Sequence, residues 1–126
     1  MKTFIMAVMM ASLVGMANAH EMTPTYPKLG PAHLEGVVKT TMQMFNKRQD
    51  VEYYEIGVFD SDFKPVPFVT SYNIIRIEYL STVTFDVYIR KTDTSRATYI
   101  CSRSKLRKDV KTRTAVASTI CSKIKR

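Results

Sequence analysis

The chain has 126 residues, 45% hydrophobic and 24% charged, which suits one domain with a single core and is too short for two. Its formal net charge of +8 is uneven: residues 20–102 carry nine Lys or Arg against ten Asp or Glu, whereas 103–126 carry nine against Asp109 alone. No internal repeat or low-complexity tract is present, and with two Cys and two His a multi-ligand metal centre is not expected.

Lys2, the apolar run Phe4–Met16 and the small-residue triplet Ala17-Asn18-Ala19 read as a secretory signal peptide over 1–19. The run is shorter than the roughly 20 residues that span a bilayer, and no later segment could span one, so a secreted, extracellular domain without a membrane anchor is expected. In an oxidising compartment Cys101 and Cys121 are expected to pair, since a metal site would have only His20 and His33 to add. His20 would be the new terminus after cleavage. A terminal His can hold copper with a second His, but a mobile polar terminus is the simpler reading.

Residues 20–30, with Pro24, Pro27 and Gly30, read as an extended, mobile arm. Pro31 suits a first helical turn, and Leu34, Val37, Val38, Thr41, Met42 and Phe45 fall on one helical stripe, which predicts a helix from Pro31 to Lys47. After Asp50 the pattern changes to period two. Tyr54, Ile56 and Val58 mark one strand. Ile75, Ile77, Tyr79, Val83, Phe85, Val87 and Ile89 mark a long alternation over 72–91, divided by a reversal or bulge near Leu80-Ser81-Thr82 into two antiparallel strands. Shorter strands are expected near 97–103 and 113–121. One amphipathic helix and a one-sided sheet predict an α+β fold, a long helix wrapped by a curved antiparallel sheet of four to five strands over 31–126.

The residues resemble the cystatin superfamily. Phe45-Asn46-Lys47 is similar to the end of the cystatin helix, and Gly30 sits where cystatins place a glycine before it. Pro67-Phe68-Val69-Thr70-Ser71, followed by Tyr72-Asn73-Ile74-Ile75, stands where the family has its first hairpin loop. Val69 and Asn73 match, while Pro67 and Ser71 replace the family's Gln and Gly. The step from Cys101 to Cys121 is similar to the C-terminal disulfide of secreted cystatins. The resemblance implies a reversible inhibitor of papain-like cysteine peptidases, with Gly30 and Pro67, Phe68, Val69, Thr70 and Ser71 as contact residues and weakened loops.

The basic segment 103–126 supports an alternative, a non-inhibitory module in defence or signalling. Lys105, Arg107, Lys108, Lys111 and Arg113 would bind anionic glycans or surfaces. No stacking aromatics interleave with them, so specific nucleic-acid binding is not expected. The histidines, cysteines and carboxylates show no catalytic spacing, so neither an enzyme nor a cofactor is expected.

Overall fold

A computed structural model describes residues 20–105 and 117–126. Among them are strands β1 (Glu21–Thr23), β2 (Gly30–Pro31), β3 (Val37–Phe45), β4 (Tyr53–Phe59), β5 (Ile74–Arg76), β6 (Thr82–Arg90), β7 (Tyr99–Lys105) and β8 (Thr119–Lys123), with a 3-10 turn at Lys91–Asp93. The expected leader, 1–19, lies outside the described residues.

The strands form two antiparallel sheets. In the first, β6 pairs along the whole of β3, and β1 and β2 share the opposite side of β3. In the second, the order is β5-β4-β7-β8. The chain changes layers between β3 and β4, between β5 and β6 and again between β6 and β7, which is the strand grouping of an immunoglobulin-type sandwich.

The α+β expectation is therefore overturned, and the cystatin-like architecture with it. Where a helix was expected over Pro31–Lys47, the chain makes β2, a hairpin loop and β3. Gly36 takes a positive φ of 77° in that loop, a conformation that suits a reversal and interrupts a helix. The sequence Val37-Val38-Lys39-Thr40-Thr41 is rich in β-branched residues, whose stiff side chains favour a pleated strand. The stripe that imitated a helix also contained a period of two: Thr40, Met42 and Met44 are buried, while Thr41 and Gln43 are exposed. Leu34, assigned to the helix's apolar face, is 69% exposed.

Two further expectations are adjusted. The alternation over 72–91 divides at a turn where Leu80 has φ 60°, but its halves do not pair: β5 joins β4 in one sheet and β6 joins β3 in the other. The arm 20–30 is extended but fastened, because β1 and β2 pair with β3 and His20, Met22 and Pro27 are buried.

The core lies between the layers. Met42 and Met44 of β3 and Phe85, Val87 and Ile89 of β6 face Tyr54, Ile56 and Val58 of β4, Ile75 of β5 and Ile100 of β7. Alternation fixes the strand faces, since a one-residue slip would turn each apolar set to solvent.

At one end Asn46 fills a fully buried position. Its Nδ2 donates to the carbonyls of Val51 at 2.7 Å and Ile77 at 2.9 Å, and its Oδ1 accepts from Arg48 N–H at 2.9 Å and from the Tyr54 hydroxyl. Burial pushes the Tyr54 phenol up to about 12, so it remains a donor.

Candidate binding edge and groove on the second sheet

The register of β7 and β8 decides which backbone groups are free. Ser104 N–H donates to Ser118 C=O and Ile124 N–H to Thr98 C=O, so the even-numbered residues of β8 face β7. Cys101 and Cys121 then stand opposite each other in a non-hydrogen-bonded pair, their Cα atoms 4.1 Å apart, and they form the expected disulfide. The odd-numbered residues of β8 turn their peptide groups away from the sheet. Lys123 and Lys125 donate to the carbonyls of Thr25 and Pro27 at 3.0 and 2.8 Å, which covers one half of this edge. At Thr119 and Cys121 no partner covers it among the described residues.

Beside that open half, the solvent-facing side of the sheet forms a groove of about 280 Å³ lined by Gly57, Phe59, Phe63, the disulfide, Arg103 and Thr119. Its floor depends on Gly57, because a Cβ there would lie 2.7 Å from the Phe59 ring. Glycine inside a strand lets that ring fold over the backbone. Phe63 is aimed by a tight turn in which Asp60 Oδ1 accepts from the N–H groups of Asp62 and Lys64, each at 2.9 Å. Phe63 takes φ 59° in this turn, and its ring stacks on Tyr99 with centroids 4.7 Å apart. The rim is charged. Arg103 lines the groove and Lys105 pairs with Glu55.

His20 fixes the flank beneath the edge. Its Nε2 lies 2.7 Å from Ser102 Oγ, its Nδ1 lies 3.3 Å from Ser118 Oγ, and its ring is 4.4 Å from that of Tyr54. Burial, aided by the charge of Arg48, pushes the imidazole down to about 4. His33 is exposed in the loop after β2 and is not brought to His20, so the copper pair considered from the sequence is not assembled. Among the described residues no cluster of three metal-ligating side chains occurs.

The other expected site residues are dispersed. Gly30 pairs with Lys39, Lys39 with Tyr88, and Tyr88 with Val69, so Gly30 and Val69 lie on one row at opposite edges of the first sheet. Three inter-strand steps separate them by roughly 14 Å, rather than joining them in one wedge. Pro67, Phe68 and Val69 line a depression of about 300 Å³ with Val37 and Tyr88. Thr70 Oγ1 is buried without a hydrogen-bond partner among the described residues, and Ser71 is exposed. Of the expected anion-binding residues Lys105 ends β7, while Arg107, Lys108, Lys111 and Arg113 lie outside the described residues.

Sequence reasoning missed Gly57, Phe59, Phe63 and Thr119. A glycine within a strand was the one available signal, because it marks close approach of a ring or backbone. It also missed Lys28, which bridges in parallel to Lys125 and joins Lys123 at the closed end of the edge.

No family model and no curated protein matches the sequence. Among solved structures the chain is similar in fold to the E. coli chaperone DraB, with a TM-score of 0.62 and 16% sequence identity over 84% of this chain and 53% of that one. It thus spans about half the length of that structure.

Proposed function

We propose that this chain is an exported, non-enzymatic binding domain of chaperone type, which accepts an extended segment of a partner polypeptide along β8. The observation that carries the reading is the pair of outward-facing peptide groups at Thr119 and Cys121, beside an apolar groove. Strand addition draws affinity from main-chain hydrogen bonds and specificity from alternate side chains, and an open edge next to an apolar groove supplies both. The fold likeness to a chaperone supports the same reading, and the disulfide and leader-like 1–19 support export. The inhibitor reading drew on a helix-wrapped sheet, so it is not carried forward.

Fluorescence anisotropy with a labelled decapeptide of alternating Val and Thr tests this. The oxidised protein should bind it with a Kd in about the micromolar range. Thr119→Pro removes an outward donor without touching the β7 ladder and should weaken binding about tenfold or more. Absent binding, or equal binding by the variant, would sink the proposal.

A second reading rests on Lys28, Lys123 and Lys125, which form no ion pair among the described residues and gather at one end of β8. They extend the basic C-terminal segment into an anion-binding end. Heparin retention that falls steeply with salt and drops on reversing Lys28 and Lys125 would support it. Retention unchanged by the reversal would reduce these lysines to a solvated face.

A further inference from the structure

On its solvent-facing side the second sheet carries rows of residues that cross it from β4 to the edge of β8. The register sets them as Glu55–Arg103–Thr119, Gly57–Cys101–Cys121 and Phe59–Tyr99–Lys123. Neighbouring rows on one face lie about 7 Å apart along the strands. The middle row holds no large side chain, only a glycine and the disulfide, so it forms low ground between two taller rows.

The walls of this trough differ in chemistry. On one side Phe63 stacks on Tyr99, and the Phe59 ring closes the far end above Gly57. On the other side stands Arg103. Its neighbour in the row, Glu55, is already engaged by Lys105, and Arg103 forms no ion pair among the described residues. The near end opens at Thr119 and Cys121, whose outward peptide groups are uncovered among the described residues. An apolar slot with an uncompensated cation on its rim is therefore continuous with the strand edge.

We infer that the occupant is a strand bearing an aromatic and an acidic residue two positions apart, an inference that rests on the strand-addition reading above. A guest residue opposite Cys121 shares its face and lays its side chain over the disulfide toward Gly57. A planar ring suits that place, because Phe63 offers it an aromatic neighbour and Arg103 borders it as a cation. The guest residue opposite Thr119 lies two positions further along and on the same face. Thr119 is short, so a carboxylate there reaches over it to the Arg103 guanidinium, in a charge-assisted hydrogen bond. A lysine at that position would meet like charge on a chain of net charge +8. Spacing therefore matters as much as composition. At adjacent positions the two side chains point to opposite faces, and only one of them can use the slot.

Fluorescence anisotropy with variants of the labelled Val/Thr decapeptide tests this. One pair of peptides carries Phe and Glu two positions apart, in either order; controls place them at adjacent positions or replace Glu by Gln. The better of the two orders should bind about tenfold or more tightly than the parent and than the adjacent-position control, and the Gln control should lose most of that gain. Arg103→Ala, at an exposed position, should erase the difference between Glu and Gln with unchanged thermal melting. If the parent binds and Thr119→Pro weakens it, yet spacing makes no difference, strand addition stands and this inference falls. A preference for Glu that persists in Arg103→Ala would overturn it as well. Absence of binding by every peptide would remove the strand-addition reading, and this inference with it.

Discussion

Tyr54 donates its hydroxyl proton to the same Asn46 oxygen that accepts the Arg48 backbone N–H, and this one amide holds the 46–51 turn against β4. Asn46→Ala would strand the carbonyls of Val51 and Ile77, the Tyr54 hydroxyl and the Arg48 N–H at a buried site. The expected loss is about 3 kcal/mol or more of unfolding free energy in urea melts. A loss under about 1 kcal/mol would show that water replaces the amide.

Acid should weaken the fold through His20. Its folded pKa of about 4 lies below the ordinary imidazole value of 6.5, so its contribution is complete above 6.5 and is lost as pH falls toward 4, where the unfolded chain binds the proton first. Solvent screening trims the linkage to about 2 kcal/mol. Urea midpoints measured between pH 7 and 4 should drop for the native protein and change less for His20→Gln. Parallel curves would remove His20 as the cause.

Reducing the disulfide should cost stability without abolishing the sandwich. The bridge closes a separation of 20 residues, worth about 3 kcal/mol in the chain-entropy model. The Cys101→Ser, Cys121→Ser double variant should therefore melt lower yet keep its far-ultraviolet circular dichroism. An unchanged melting temperature would count against the estimate.

Gly57→Ala should spare the fold and damage the groove. The added methyl meets the far end of the Phe59 ring, which can swing away. Peptide affinity should fall about tenfold while the urea midpoint changes little. Unaltered affinity would show that the groove takes no part in binding.

Strands buried on one face were legible in the sequence. Tyr54, Ile56 and Val58, then Phe85, Val87 and Ile89, alternate cleanly, and the observed β4 and β6 follow them. The disulfide followed from there being two cysteines. What misled was 34–45, where one set of apolar residues fits both a period of 3.6 and a period of two. Local chemistry, Gly36 and the paired β-branched residues, decides for the strand. The groove was not legible because it draws residues from β4, β7, β8 and a turn, and no local pattern records which strands become neighbours.

The burial of His20 has a consequence for the order of assembly during synthesis. Its hydrogen-bond partners Ser102 and Ser118 lie 82 and 98 residues downstream, so this corner closes only once the chain as far as Ser118 is available to fold. Until then the methionine-bearing strand Val37–Phe45 can pair with Thr82–Arg90, yet it lacks the second layer's last strands. Folds dominated by such distant pairings form slowly and expose unpaired edges while they wait. A nascent chain of this protein therefore passes through a stage in which it is itself in need of protection.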